Sequence, residues 1–318
     1  MDFENFKKLS GDASSRKFYR NKKNNSIIVF CNKEKFKNLV VYDAINKLLK
    51  KNRINSPNLI SENYNKNYIE ISDLGDVSGL KIANKFKIKN FFEFFKILKK
   101  LQKIKQKKIK TFLNHSYKIP SYSDNLLINE SKLFSEWYLP TKIKKNKKIV
   151  KKKFNLILKN LIKGIKNKDK VLVHRDFHVS NIMYFNKNFF LIDNQDAVFG
   201  NKVYDLASLI DDVRIKISLK NREKLYKAYV TKTKQKNKYV LRNDFEILSI
   251  LRNLKIIGIF TRLSQRDKKH SYLKMIPYAW KMIDDRRKTN SKAKELNVFI
   301  DKYFPKKIRM KGWRLIQL

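Results

Sequence analysis

Three polar residues constrain this chain more than any other feature: Asp176, Asn181 and Asp193, set around one short hairpin. An apolar run, Val171-Leu172-Val173, delivers His174-Arg175-Asp176 at a strand end. Asn181 then opens Ile182-Met183-Tyr184-Phe185, Asn186-Lys187-Asn188 forms a turn, and Phe189-Phe190-Leu191-Ile192 ends on Asp193. Short apolar runs around an Asn-rich turn read as a β-hairpin, which gathers the three polar residues at one end of a sheet. Phosphoryl transfer needs such a set. One carboxylate takes the proton of the attacking hydroxyl, while an amide and a second carboxylate hold Mg2+ against nucleotide phosphates. A buried polar loop on a structural hairpin is the competing reading. The spacing, with the second Asp closing the hairpin, favours phosphotransfer.

Length and composition narrow the field. The 318 residues suit one two-lobed unit or two small domains. A single cysteine, Cys31, rules out a disulfide framework or a Cys-based zinc site and fits a reducing compartment. The first residues lack the basic-then-apolar layout of a signal peptide, and no apolar run approaches the ~18 residues of a membrane span. The expected location is the cytoplasm. The formal charge of +47 raises the question of nucleic acid. Lys greatly outnumbers Arg and is spread along nearly every helix, whereas nucleic-acid readers lean on clustered Arg. Compositional drift toward Lys, Asn and Ile accounts for the charge, so no specific nucleic-acid partner is expected.

Hydrophobic spacing gives the organisation. Lys8 to Asn32 reads as a hairpin with its turn at Asn21 to Asn25, preceded by the small, polar stretch Ser10-Gly11-Asp12-Ala13-Ser14-Ser15-Arg16. That stretch is either an ordinary turn or a loop laid over phosphates through backbone N–H groups and hydroxyls. Residues 36–53 have helical spacing, and Leu59-Ile60 and Tyr68-Ile69-Glu70-Ile71 read as strands. The break at Asp73-Leu74-Gly75-Asp76 predicts a small β-rich lobe over 1–75 and a larger, mostly helical lobe over 76–318. Helical stripes fall at 91–105, 124–138, 149–166, 203–217, 220–233, 244–264 and 272–285.

Other constellations carry less. His174 and His178 have a zinc-like interval, but they follow a strand into a loop and no Glu comes directly after His174, which argues against a zinc hydrolase. His174 reads as a hydrogen-bonded core residue; His178 either braces the loop or touches phosphate. Asp205, on an otherwise apolar segment, is expected to brace the catalytic loop, as is Arg175. Glu136 beside Trp137 suits a sugar, its C–H face on the indole and its hydroxyls on the carboxylate. Trp137 as core and Glu136 as a solvated acid is the plainer alternative.

With those residues in view, the chain resembles the aminoglycoside phosphotransferase and choline kinase superfamily. Within it, the likeness is to the bacterial anomeric kinases of N-acetylmuramate and N-acetylglucosamine. The resemblance rests on Gly11 to Arg16, Ser72-Asp73-Leu74-Gly75, Glu136 to Pro140, His174 to His178 with Asn181, Asp193 to Ala197, Tyr204-Asp205-Leu206, and Arg252 to Phe260 through Asp267. The Asp-x4-Asn interval matches the kinase catalytic loop. The resemblance implies an α+β, protein-kinase-like two-lobed fold. It implies Asp176 as the catalytic base and Asn181 and Asp193 as Mg2+ ligands. Gly11, Asp12, Ser14, Ser15 and Arg16 would cover ATP, with Ser72 bordering the adenine. Glu136, Trp137 and Asp196 are its candidate substrate contacts. The implied product is a sugar 1-phosphate made in cell-wall recycling, with a downstream nucleotidyltransferase as functional partner.

Two departures stand out. A kinase strand should carry a Lys, yet Ile28-Val29-Phe30-Cys31 has none, and the helix over 36–53 offers only Asp43 where a Glu is expected. Arg16, Arg20, Lys33 and Lys35 are the candidates to supply the missing charge. The departures keep a rival open, a catalytically dead kinase fold serving as an RNA-binding or scaffold module. The rival among enzymes is a kinase of choline or an aminoglycoside, which the strongly basic helices disfavour.

Overall fold

The computed structural model describes residues 6–9, 16–21, 23–83, 88–167, 169–233 and 237–310. Gly11, Asp12, Ser14 and Ser15 lie outside the described residues, as does the chain beyond 310. Packing divides the chain into two compact units, residues 1–121 with 171–199 and residues 122–170 with 200–318.

The first unit is built on an antiparallel sheet of β1 (Phe6–Leu9), β2 (Lys17–Asn21), β3 (Ser26–Phe30), β4 (Leu59–Asn63) and β5 (Tyr68–Ser72), in the order β1-β2-β3-β5-β4. The β2–β3 hairpin pairs Asn21 with Ser26 and Phe18 with Val29. A π-helical turn, Phe36–Val41, leads into α1 (Tyr42–Lys51). Leu39, Val40, Ile45, Leu48 and Leu49 share its buried stripe. Strand alternation and this stripe meet in one core of Val29, Cys31, Leu39, Tyr42, Ile69 and Ile71. After the sheet come α2 (Gly79–Ala83), α3 (Ile88–Lys103) and a hairpin of β6 (Lys108–Lys110) and β7 (Ser116–Lys118).

The organising hairpin is present. β9 (Ile182–Phe185) pairs antiparallel with β10 (Asn188–Leu191), from Ile182 opposite Leu191 to Phe185 opposite Asn188. Asn186 and Lys187 both take positive φ, the backbone of a two-residue type I′ turn, which matches the right-handed strand twist. Two backbone bonds stitch this hairpin into the unit: Tyr184 N–H donates to Val77 O at 2.7 Å and Leu191 N–H to Asn55 O at 2.8 Å. Flanking it, β8 (Lys170–Val173) and β11 (Val198–Asn201) pair with each other.

The second unit is helical: α4 (Asp124–Ser131), α5 (Leu139–Lys142), α6 (Lys147–Lys163), α7 (Tyr204–Ile210), α8 (Leu219–Lys232), α9 (Lys238–Arg266), α10 (Ile276–Arg287), α11 (Lys294–Tyr303) and α12 (Lys306–Arg309). The predicted helix over 124–138 is interrupted, its second half forming a π-helical turn at Phe134–Tyr138. The predicted helix over 203–217 stops at Ile210, because Asp211 turns inward. Its fully buried carboxylate accepts from Arg222 and Arg286, both at 2.8 Å, and from Ser249 Oγ at 2.6 Å. Burial alone would raise the Asp211 pKa, but the two guanidiniums outweigh it and hold the group well below the carboxylate range. Removing one partner of such a set strands buried charge, so the network fixes the register of α7, α8 and α10.

Gly258 sets the closest approach in this unit. A Cβ there would meet the Leu133 carbonyl carbon at 2.3 Å and the Phe134 nitrogen at 2.6 Å, so α9 lies backbone to backbone on the π-helical turn. We predict that Gly258→Ala costs about 1–3 kcal/mol through overpacking, read as a lower urea midpoint; an unchanged midpoint would contradict the fit.

Candidate active site

The candidate site lies within the first unit, in a cavity of about 390 Å³. Phe18, Ile27 and Ile71 of the sheet and Met183 and Ile192 of the hairpin segment give it apolar walls, and Arg16, Ser180, Asn181 and Asp193 supply the polar groups. Apolar walls together with cations and oxygen donors are what a nucleotide base and its phosphates require.

The loop after β8 is shaped around the carbonyl of Asp176. That oxygen accepts from the His178 N–H at 2.9 Å and from Asn181 Nδ2 at 3.0 Å. The Asn181 amide nitrogen is thereby committed to the loop, leaving Oδ1 as its oxygen donor. Arg175 takes φ 75° and Asp193 φ 67°. Left-handed backbone in such residues costs free energy and persists only where the surroundings impose it, often at functional sites.

His174 anchors the loop. It is buried, and its Nε2 lies 3.0 Å from Ile192 O and 2.8 Å from Asn194 Oδ1, two acceptors that place the ring proton on Nε2. Asn194 is fully buried, and its Nδ2 donates to Asn46 Oδ1 at 2.7 Å and to Leu191 O at 2.9 Å. One amide thus ties α1, the end of β10 and the loop after β8 together.

The two departures now have physical accounts. Ile27 and Val29 share a face of β3, and Ile27 lines the cavity, but Val29 is fully buried in the core beside Tyr42. Asp43 is buried and bonds Lys47 on its own helix at 2.8 Å; burial raises its pKa. It is not the partner of a cavity cation. Arg16, just before β2, is a cation on the cavity wall. Its buried guanidinium forms an ion pair with Asp193 and donates to Gln195 Oε1 at 2.9 Å. It lies over the rings of Phe18 and Tyr42, 5.4 and 5.2 Å from their centroids. Arg20 also lines the cavity, but it is bound to Asp73 at 2.5 Å and to Asp76 at 2.9 Å, where it holds the turn after β5. Lys35 lies 3.9 Å over the Tyr64 ring, and neither it nor Lys33 lines the cavity.

Ser72 is on the cavity wall, its Oγ accepting from the Asn58 N–H at 2.9 Å. The Asp196 carboxylate is already engaged, by Lys37 Nζ at 2.5 Å, Arg175 Nη1 at 3.2 Å and Gln195 Nε2 at 2.9 Å. Burial pushes the pKa of Asp196 up, but Lys37 and Arg175 prevail and hold it below the usual range. His178 is buried in the loop. In the second unit, Glu136 is exposed and Trp137 half-buried on the π-helical turn, whose core residues are Phe134 and Tyr138; Asp205 is buried in α7. Gln195, Asn194, Asn46 and Lys37 went unread in the sequence. The first two follow Asp193 directly, a signal that was present, whereas Lys37 is one cation among 75 Lys and Arg residues.

Asn181 and Asp193 offer an amide oxygen and a carboxylate, hard oxygen donors suited to a divalent cation. Among the described residues no cluster of three or more His, Cys, Asp or Glu could hold a metal by itself. Two protein donors completed by phosphate oxygens and water are the arrangement Mg2+ takes in phosphoryl-transfer sites. The donor set therefore fits.

The sequence profile of the phosphotransferase enzyme family matches residues 5–236, which span the whole cavity. A protein of Pseudomonas putida named N-acetylmuramate/N-acetylglucosamine kinase is 27% identical over 286 residues, covering 87% of this chain and 81% of its own length. One of the same name from Pseudomonas aeruginosa is 24% identical over 287 residues, covering 86% and 81%. Among solved structures, the choline kinase LicA of Streptococcus pneumoniae superposes with a TM-score of 0.59 at 15% identity, covering 88% of this chain and 92% of its own. The fold is thus the kinase-like one that the motifs imply. Among the described residues no helix is long and apolar enough to cross a membrane.

Burial lowers the His174 pKa, against the pull of Asp176 and the Ile192 and Asn194 acceptors. The unfolded chain protonates this residue near its ordinary 6.5 and the folded chain does not. Its contribution is therefore full above that pH and falls below it by about 1.4 kcal/mol per pH unit until the folded value is reached. We predict that wild type loses more stability than His174→Gln between pH 7.5 and 5.5, measured by denaturant unfolding. Equal losses would contradict a neutral, buried His174.

Proposed function

The chain belongs to the phosphotransferase enzyme family, and from that premise we propose that it transfers the γ-phosphoryl group of ATP, with Mg2+, to the anomeric hydroxyl of an amino sugar. N-acetylmuramate and N-acetylglucosamine are the proposed acceptors and a sugar 1-phosphate the product. The observation that carries the reading is the convergence of Arg16, Asn181 and Asp193 on one cavity, next to a loop folded about Asp176. Support for the acceptor comes from the relatives' names, which apply over 81% of their length. The net charge of +47 also makes a cationic acceptor such as choline unfavourable.

In this reading the apolar walls hold adenine near Ser72, and the stretch from Gly11 to Arg16 covers the phosphates. Asn181 and Asp193 would hold Mg2+, which when bound would neutralise charge on the transferring group. Asp176 orients the acceptor hydroxyl in line with the γ-phosphorus and accepts its proton. His174, Arg175, His178 and Asp205 keep the loop in place. Glu136, Trp137 and Asp196 are proposed for the sugar, Asp196 through the array that already engages it. The proposed setting is cell-wall sugar recycling in the cytoplasm, where a downstream nucleotidyltransferase would take the sugar 1-phosphate on to a UDP-sugar.

We predict that Asp176→Asn lowers turnover by about 10²–10⁴-fold with little change in nucleotide affinity. Phosphorus NMR with Mg·ATP and N-acetylmuramate, N-acetylglucosamine, choline and an aminoglycoside identifies the acceptor. A new anomeric phosphate, absent in the variant, is the expected result. Phosphorylation of choline alone would reject the sugar, and wild-type turnover in Asp176→Asn would remove Asp176 from the mechanism.

A further inference from the structure

We propose that Arg16, seated by Gln195, couples metal and nucleotide binding: guanidinium and divalent cation compete for the carboxylate of Asp193, and the nucleotide phosphates settle the competition by taking the guanidinium. The inference rests on the kinase reading and assigns its missing phosphate cation to one residue.

The argument starts from charge. Arg16 is buried and its nearest acid is Asp193, with which it is in direct ion-pair contact. A buried guanidinium needs an anionic partner, and removing that partner is costly. Asp193 is also the carboxylate that suits a divalent cation. A carboxylate neutralised by a guanidinium holds a metal weakly, since two cations then crowd one anion. Phosphate relieves this, because its oxygens accept from the planar guanidinium fork as well as a carboxylate does. Once a phosphate takes the fork, Asp193 is released to the metal.

Arg16 is held for such an exchange. Its guanidinium carbon lies over the rings of Phe18 and Tyr42, and Gln195 Oε1 accepts from Nη1 at 2.9 Å. Gln195 Nε2 in turn donates to Asp196 Oδ2 at 2.9 Å and to Asp193 Oδ1 at 3.3 Å. Asp196 is itself gripped by Lys37 at 2.5 Å, from the helical segment that precedes α1. The run Lys37, Asp196, Gln195, Arg16 thus links that segment to the phosphate cation, as a Lys–Glu pair does in protein kinases. Here the helical side supplies the base and the loop the acid. Gln195 is a positioning residue, since it acts through Arg16.

The test measures binding, by calorimetry for adenosine, ATP and Mg·ATP and by electron paramagnetic resonance for Mn2+ alone. In wild type, Mn2+ should bind at least about tenfold more tightly when ATP is present. For Arg16→Met, Mg·ATP affinity should fall about tenfold or more, the scale of a charge-assisted hydrogen bond. Mn2+ alone should bind more tightly than to wild type, and adenosine should bind as before, which also shows that the variant is folded. Gln195→Leu keeps the charge but not its seat, and should weaken Mg·ATP while leaving adenosine unchanged. If Arg16→Met binds Mg·ATP and Mn2+ like wild type, the coupling is refuted while the kinase reading stands. If wild type binds neither adenosine nor Mg·ATP, both fall.

Discussion

A buried guanidinium paired with the carboxylate of Asp193 is the constraint on which this site depends. Arg16 is enclosed by the rings of Phe18 and Tyr42 and meets Asp193 and Gln195. Desolvating an arginine is costly, so the chain must bring an anion to it. That anion comes from the end of the β9–β10 hairpin, more than 170 residues further along the chain, as the pairing with Gln195 makes plain. The sheet and the hairpin segment thereby line one cavity.

Charge alone would not fix the geometry. The fully buried Asn194 supplies the directional part through bonds that reach Asn46 in α1, Leu191 at the end of β10 and His174 at the start of the loop after β8. An unsatisfied amide in that position would cost about 1–3 kcal/mol, so the three segments keep their mutual placement. The loop then folds about the Asp176 carbonyl, and Asn181 follows in register. Positive φ at Arg175 and Asp193 is the backbone expression of these demands.

Much of this was legible in the residues. Short apolar runs around the Asn-rich turn specify the hairpin that carries Asn181 and Asp193 at its ends, and the helical stripe over 36–53 specifies α1, but not the π-helical form of the turn before it. The short hairpin of β6 and β7 escaped, because three residues such as Lys108-Ile109-Lys110 show no period. The end of α7 escaped because Asp211 reads as an ordinary polar residue until two arginines from distant helices converge on it. Lysine at 37 has no local signature in a chain of this charge. The missing strand lysine looked like a defect in sequence. The replacement proposed for it, Arg16, depends on a fold that brings a residue before β2 over Tyr42, a relation that spacing does not encode.

The account is tested most directly by a crystal structure with magnesium and a non-hydrolysable ATP analogue. It predicts the base between the sheet and the hairpin, the metal on Asn181 and Asp193, and the Arg16 guanidinium on a phosphate oxygen with Gln195 still beside it. A nucleotide bound outside this cavity, or phosphates held elsewhere while Arg16 stays on Asp193, would contradict it.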